Sequence, residues 1–483
     1  MLAALKRRWS SPGGYRDVLR VGLPLVVSLG STTVMEFTDR VFLSHYSQDA
    51  IAASMPAAMT NLVFLLFFIG VGSYVNVFIA QYDGAGSRTR VGAALWQSIY
   101  FSMFGAVVLA SMAFFAEPIF RMAGHSESVF RMEVTYFRIL SVGSGLALAA
   151  SCVGCFFSGR GITKPNMMVN VIATAINIPL DYVLIFGVGP FPEMGIAGAG
   201  IATASSWGMQ LAMYCWLVFT RKNDCAYAVR RARAFDRPLF MRMMRFGLPS
   251  GVNAFFDLFA VAFFIFMVGR LGRAELAASN IVFSLDTVAF LPMIGLNIAI
   301  STLVGQALGR GRPEEAVRAT SSTLHIAMVW MGSMAVLFVT APEWLLSVFR
   351  PEAMPGGADA VWFAQVEQAG VVLLRFVALY SLLSSTMLVY FGAVRGAGDT
   401  VFVMWAIMLS AILLLAVPIY VAQAFFGAGL NTLWGIFTLY VVVLSVVAYL
   451  RYHRGPWKTM LVIERPAADE AVPDKTIPPQ PPC

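Results

Sequence analysis

The segment VGLPLVVSLGSTTVMEFTDRVFLS, residues 21–44, is largely apolar and long enough to cross a bilayer as one helix. It nevertheless contains two acids, Glu36 and Asp39. A carboxylate at the centre of a bilayer costs roughly 2.5–3.5 kcal/mol on insertion scales, so such residues persist mainly where they serve a pathway or a partner. Asp39 is therefore the first candidate functional residue.

The composition of the whole chain is that of an all-α integral membrane protein. Hydrophobic residues make up 58% of the 483 residues and charged residues only 12%, about half the charged share of an average soluble protein. Apolar runs of about 20 residues predict transmembrane helices. The twelve predicted spans are 19–44, 52–80, 93–117, 132–158, 166–188, 196–220, 244–269, 276–306, 318–341, 368–394, 401–426 and 430–450.

An internal repeat organises these spans. The motif RVGLP at 20–24 recurs as RFGLP at 245–249, and the pair RG at 160–161 recurs at 395–396. Since each half holds six spans, the halves run in the same direction through the membrane and are expected to enclose a central cleft. The predicted segments are a cytoplasmic N-terminus 1–15, an N-terminal lobe 16–220, a cytoplasmic linker 221–240, a C-terminal lobe 241–455 and a disordered cytoplasmic tail 456–483.

The charge pattern predicts the orientation. The formal net charge is +8, and most of the 34 Lys and Arg residues fall on one side of the membrane if both termini are cytoplasmic. This placement indicates a multi-pass protein of the plasma membrane, the inner membrane in a bacterium, that contacts membrane lipid and binds no nucleic acid. The four histidines are scattered and no nucleophile or ligand cluster is visible. We therefore expect that the protein is not an enzyme and binds no metal or cofactor. We also expect a monomer.

Five acids lie inside predicted spans and away from their ends, where few cations lie at matching depth. Acids in such positions are candidates to carry protons or to bind a cation. They are Glu36, Asp39, Asp181, Asp257 and Asp286.

In the first half, Asn177 and Asp181 are four residues apart in the fifth span and therefore lie on one helix face. Pro179 between them weakens the backbone ladder. A freed carbonyl beside an amide and a carboxylate suits a proton site or a hard monovalent cation, although Asn177 could also simply cap a kink. Thr203 in the sixth span adds a hydroxyl. The predicted coupling site is thus Asp39, Asn177, Asp181, Thr203 and Glu36, with sodium possible at the first four.

In the second half, Asn253 and Asp257 repeat the spacing of four in the seventh span. The repeat places Thr32 opposite Asp257, so Asp39 has no counterpart by duplication. Asp286 in the eighth span stands opposite Asn61 and either lines the cleft or is a shielded structural acid. We expect Asn253, Asp257 and Asp286 to be second-lobe candidates.

Over about residues 15–450 the chain resembles the multidrug and toxic compound extrusion (MATE) family. The resemblance is carried by the duplicated layout, GLP at 22–24 and 247–249, M-x-F-x-D at 35–39, AQYDGAG at 80–86, GQALGRG at 305–311 and RGAGDT at 395–400. It implies a V-shaped pair of lobes that exports organic cations or amphipathic drugs in exchange for protons or sodium. Asp39, Asn177, Asp181 and Thr203 match the DinF-type branch, whereas Asp257 matches a NorM-type acid. The chain therefore combines features of both branches of the family.

Three positions depart from the family pattern. Ser384 stands where NorM-type proteins have an aspartate, Glu36 replaces a small residue, and Arg40 follows Asp39 where threonine is common. From these features we expect a cation-coupled antiporter working by alternating access. The alternatives are a flippase for lipid-linked precursors, whose cavity should be richer in cations, and a non-transporting membrane scaffold, which would tolerate loss of the intramembrane acids.

Overall fold

The computed structural model describes residues 8–350 and 358–464. Within these residues every regular element is a helix and none is a strand. Helices satisfy their own backbone hydrogen bonds, which a segment buried in hydrocarbon requires. The predicted all-α membrane fold is confirmed.

The first half of the described chain holds six long helices. The second of them turns at Ser73 and Tyr74, and the third includes a short 3-10 stretch, Met112–Phe115. The six helices are α1 Tyr15–Tyr46, α2 Gln48–Gly84, α3 Arg88–Arg121, α4 Glu127–Ser158, α5 Lys164–Phe186 and α6 Ile196–Val218.

Six more long helices follow in the second half, and the last but one contains a π-helical stretch, Ala411–Ala416. They are α7 Arg237–Gly269, α8 Arg273–Gly309, α9 Pro313–Thr340, α10 Ala358–Ala397, α11 Thr400–Phe426 and α12 Leu430–Arg454. The described residues thus provide one long helix for each of the twelve predicted spans.

Eleven of these helices are long and apolar enough to cross a membrane by composition alone. The exception is α6, whose Gly, Ser, Thr and Gln residues lower its hydropathy. Its 23 residues still rise about 35 Å, which exceeds the roughly 30 Å hydrocarbon core of a bilayer.

Contacts divide the described chain into two compact units. The first unit comprises Val27–Gly251, Thr302–Glu314 and 458–464, and the second comprises 8–26, Val252–Ser301 and 315–457 apart from 351–357. Boundaries fall inside α1, α7, α8 and the first turn of α9. The lobes at 16–220 and 241–455 are predicted from the internal repeat, whereas these two units are defined by contacts between residues. The two divisions measure different properties, so the lobes stay a prediction.

Each unit has an aromatic core. In the first unit Tyr74, Phe78 and Phe246 pack with ring centroids 6.1–6.4 Å apart. In the second unit the fully buried Phe264 lies 5.4 Å from Trp434 by ring centroids. The Tyr74–Phe246 pair is stacked and the others are edge-to-face, and both arrangements add to the stability that the buried area provides.

The beginning of the predicted tail is folded. Trp457 is fully buried and stacks on Tyr452 at 4.9 Å. Val462 is 1% exposed, and its N–H donates to Gln81 Oε1 at 2.8 Å. The predicted disordered segment 456–483 is therefore ordered up to residue 464, because its Trp and Val side chains find apolar pockets. Residues 465–483 lie outside the described part.

Two glycines of the repeat motifs allow backbones to touch inside the first unit. A Cβ on Gly84 would lie 2.3 Å from the carbonyl oxygen of Gln306, and one on Gly309 would lie 2.2 Å from that of Gln81. Only residues without a side chain fit a crossing this close. Gly84 thus packs against the backbone of Gln306, and its repeat equivalent Gly309 packs in the same way against the backbone of Gln81.

We expect Gly84→Ala and Gly309→Ala to destabilise the protein by about 1–3 kcal/mol each, since the backbone must move to admit a methyl group. The readout is the thermal unfolding midpoint of the purified protein in detergent. Gly435→Ala is the control, because a Cβ there meets nothing within 4 Å. Unchanged midpoints for the two crossing glycines would contradict the close approach.

Candidate coupling site

The site is built on one face of α1. Met35 and Asp39 are four residues apart, so they lie one above the other on the helix, and both are buried, at 3% and 6% exposure. Glu36 and Arg40, one position further along, are exposed. Of the two acids in this apolar helix, only Asp39 is therefore buried in the protein interior.

Asp39 meets side chains from two other helices. Thr203 of α6 donates its hydroxyl to Asp39 Oδ2 at 3.3 Å. The carboxyl group of Asp181 on α5 lies within hydrogen-bonding reach of the Asp39 carboxyl. The structure thus brings together three of the predicted site residues, Asp39, Asp181 and Thr203.

The carboxyl pair lacks donors. Within the described part of the chain no donor bonds Asp39 Oδ1 or either oxygen of Asp181, and Asp181 is fully buried. Buried polar atoms in native proteins are nearly always hydrogen-bonded, so exceptions call for a functional explanation. Two ionised carboxylates at this distance repel, and a proton or a monovalent cation between them removes the repulsion.

Asn177 belongs to the same face of α5 as Asp181, one turn away. It is 1% exposed, and among the described residues neither its side-chain oxygen nor its nitrogen has a hydrogen-bond partner, so it is not bonded to Asp39. Pro179 lies inside α5 between the two residues and cannot donate to the preceding turn. Carboxylate, amide and hydroxyl oxygens form a hard donor set that fits a proton or sodium.

A cavity of about 150 Å³ opens beside Asp39 in the first unit. Glu36 and Thr203 also line it, whereas Asn177 and Asp181 do not. Glu36 therefore belongs to the cavity wall, together with Arg40 one turn further along α1, and stands apart from the hydrogen-bonded group around Asp39.

Several lining residues were not found from the sequence. Tyr136 of α4 and Trp207 of α6 contribute aromatic surface, and Met55 and Met59 of α2 contribute thioethers. The sequence does place Trp207 near the site, because it follows Thr203 by four residues and so lies on the same helix face. For Tyr136 and the methionines no local pattern distinguishes them from residues that pack helices together.

The second-unit candidates are not assembled into a comparable site. Asp286 accepts a hydrogen bond from the Tyr380 hydroxyl at 2.9 Å. Asn253 is 2% exposed and its side-chain oxygen has no partner among the described residues, whereas Asp257 is exposed. Tyr380 is a partner that sequence reasoning missed.

A sixth acid, Glu133, was also missed. It lies in the second turn of α4, is fully buried, and its Oε1 is 2.8 Å from His125 Nδ1. The predicted span is 132–158, so Glu133 falls at its end and outside the set of five candidate acids. The helix in fact extends back to Glu127, and the protein rather than lipid surrounds this carboxyl.

A multi-pass helical bundle that buries acids inside its spans has the architecture of a membrane transporter. The MatE family model matches residues 24–183 and 249–421. The two matched stretches begin at Pro24 and Pro249, the equivalent prolines of the repeated GLP motif. The chain belongs to the MatE family, whose members are transporters and not enzymes.

Two curated relatives match nearly the whole chain. Both are described as a probable multidrug resistance protein NorM, one from Thermotoga maritima and one from Pseudomonas syringae pv. tomato. Each is 24% identical, over 462 and 461 residues, covering 94% of this chain and 96% and 97% of the relative.

Solved transporters share the fold. An outward-facing multidrug resistance MATE transporter superimposes with a TM-score of 0.82 at 17% identity, covering 93% of this chain and 97% of that chain. A transporter of the MOP superfamily from Pyrococcus furiosus Vc1 gives 0.80 at 18% identity, with 93% and 97% covered. A eukaryotic MATE transporter gives 0.78 at 18% identity, with 92% and 96% covered.

We expect Asp181→Asn to keep or raise stability, by up to about 1 kcal/mol, because it removes a carboxylate that lacks donors. The comparison is Asp399→Asn, which breaks a paired buried acid: Arg451 Nη2 lies 2.6 Å from Asp399 Oδ2. That change should cost about 1–3 kcal/mol. Thermal unfolding of both variants in detergent checks this contrast, and equal losses would argue against an unsatisfied carboxyl at position 181.

Proposed function

We propose that this protein is a cation-coupled antiporter that exports small organic cations or amphipathic compounds. The observation that supports this best is the facing carboxyl pair, Asp39 and Asp181, buried in the first unit beside a cavity. Such a pair changes its net charge when it takes up a proton or a sodium ion, and that change is large in a low-dielectric interior.

The pair is placed to alter how α1 packs on α5. Thr174 donates to the carbonyl of Ser31 at 3.2 Å, and Asn170 donates to the Ser28 hydroxyl. Asp39 and Asp181 extend this row of polar links by two further turns. When the carboxyls share a proton or cation, the row is continuous. When both carboxyls are ionised, their repulsion pushes α1 and α5 apart at the end of the row that holds Asp39 and Asp181.

This difference provides the coupling. An ion can shift an equilibrium between two conformations only if it binds them unequally, and loading the pair favours the conformation in which α1 and α5 are close. We propose that closure of α1 reduces the adjoining cavity and releases substrate outward. One charge crossing 100 mV contributes about 2.3 kcal/mol to such a cycle.

The cavity wall suggests the substrate class. Tyr136, Trp207, Met55 and Met59 give it faces that accept flat apolar groups and attract cations. Glu36 adds an exposed carboxylate. Since Arg40 is the single Lys or Arg among the lining residues, a phosphate-rich lipid precursor fits this wall less well than an organic cation.

We propose a monomer in the bacterial inner membrane with both termini in the cytoplasm. The positive-inside pattern supports the orientation, and the site within one unit of one chain supports a monomeric transport unit. Green fluorescent protein fused after residue 483 should fluoresce, as it folds in the cytoplasm. A dark fusion at normal expression would contradict the orientation.

Asp39→Asn should abolish gradient-driven efflux, because the amide neither binds a proton nor neutralises a cation. The measurement is uptake of a fluorescent organic cation into proteoliposomes, driven by an imposed gradient. Glu127→Gln is the matched control, since that side chain is 70% exposed, and it should transport at the wild-type rate. Wild-type transport by the Asp39 variant would refute the scheme.

The same vesicles distinguish the coupling ion when a pH gradient and a sodium gradient are imposed separately. Acceleration by only one gradient identifies its ion. Acceleration by neither, with counterflow of substrate intact, would refute antiport while leaving transport in place. No counterflow in any condition would favour the scaffold alternative.

Glu36→Gln should weaken binding of cationic substrates about fivefold and leave uncharged amphipathic substrates unchanged. The estimate is the roughly 1 kcal/mol that an exposed ion pair contributes. Competition by cationic and uncharged compounds against the fluorescent substrate measures both affinities on one variant. A uniform loss for both compounds would show that Glu36 shapes the cavity without recognising charge.

A further inference from the structure

A groove unrelated to the candidate coupling site runs along α9 in the second unit. Its volume is about 450 Å³, within the range of about 300–1,000 Å³ that small-molecule sites occupy. The lining residues are Trp9, Tyr15, Leu19, His325, Ile326, Val329, Trp330 and Ser333. We call it the α9 groove.

The wall of the α9 groove is apolar and accessible. Val329 is 75% exposed, Trp9 47% and Trp330 37%. The indole N–H of Trp330 donates to the carbonyl of Ala289 at 2.8 Å, which holds the ring in place. Trp9 and Tyr15 of the predicted cytoplasmic N-terminus line one end of this groove. In the predicted orientation, that end faces the cytoplasmic leaflet.

Polar groups are concentrated at that end. Arg8 donates to the hydroxyls of Ser321 and Ser322, at 2.5 and 3.5 Å, and its guanidinium carbon lies 5.6 Å from the Tyr15 ring centroid. The Tyr15 hydroxyl lies 2.8 Å from His325 Nδ1. These partners of Arg8 are neutral, and within residues 8–350 and 358–464 no carboxylate forms an ion pair with it.

The dimensions match one leaflet. From Ser321 to Ser333 the helix rises about 18 Å, and half of a hydrocarbon core of about 30 Å is about 15 Å. Tyr and Trp side chains favour the level of the lipid headgroups. A lipid whose phosphate lies at Arg8 would place an acyl chain along Ile326, Val329 and Trp330.

We propose that the α9 groove binds an anionic phospholipid of the leaflet on the N-terminal side, with its phosphate at Arg8. Arg8 bonds through two of its five N–H groups to the serines, so others remain for phosphate oxygens. An anionic headgroup balances this charge, whereas a zwitterionic headgroup brings its own cation. One Arg near a membrane surface contributes about 1 kcal/mol toward anionic lipid, which is about a fivefold preference.

The test uses the full-length protein in vesicles that mix phosphatidylglycerol and phosphatidylcholine, with bromine on the acyl chains of one lipid at a time. Bromine quenches tryptophan by contact. We expect brominated phosphatidylglycerol to quench more than brominated phosphatidylcholine at equal mole fraction. The excess should fall in each of the single variants Trp9→Phe and Trp330→Phe and disappear in the double variant. It should persist in Trp216→Phe, whose indole is 78% exposed in the first unit.

Arg8→Gln should lower the preference for the anionic lipid about fivefold, and Arg8→Lys should retain most of it. Arg454→Gln removes an equal charge from an exposed position outside the groove and should change nothing. Equal quenching by both lipids in the wild type would overturn the proposal and indicate non-selective annular lipid. Absence of quenching at Trp9 and Trp330 would also overturn it, because it would show that lipid acyl chains do not enter the groove.

Discussion

The candidate site of the first unit depends on the placement of the Asp39 and Asp181 carboxyls next to each other. Two acids without donors in a buried position are unfavourable unless a proton or cation accompanies them. The surrounding packing must therefore offset their cost. The hydrogen bonds from Asn170 and Thr174 of α5 to Ser28 and Ser31 of α1 hold these two helices together against the repulsion of the carboxyls.

The two units treat their buried acids differently. In the second unit Asp399 is paired with Arg451. Asp286 accepts a hydrogen bond from Tyr380 through Oδ2, while its Oδ1 has no partner among the described residues. In the first unit Asp181 has no such partner among the described residues. Because two carboxyls without enough donors lie next to each other in the first unit, and one proton or cation relieves both, the first unit is the better candidate for coupling. The electrostatics of single side chains thus make the two units unequal.

The candidate site was partly predictable because helix periodicity works over short distances. Asn177 and Asp181 share a face by their spacing of four, and Asp39 is conspicuous as an acid in an apolar run. Tyr136, Trp207 and Tyr380 were not predictable as site residues, since aromatic side chains are common throughout these spans. Glu133 was overlooked because a hydropathy window cannot tell a helix end in lipid headgroups from one inside protein.

The sequence by itself determined the twelve helices and the internal repeat, and it predicts an orientation from the distribution of Lys and Arg, because these depend on local hydropathy and charge. Only the tertiary structure decided which acids meet. Asp39 lies on the first helix and Asp181 on the fifth, and nothing local to either requires the other. It also decided that Asp39 meets Thr203 and Asp181 while Glu36, three residues before it, contributes only to the cavity wall. This difference depends on the rotation of α1 about its axis relative to α5 and α6.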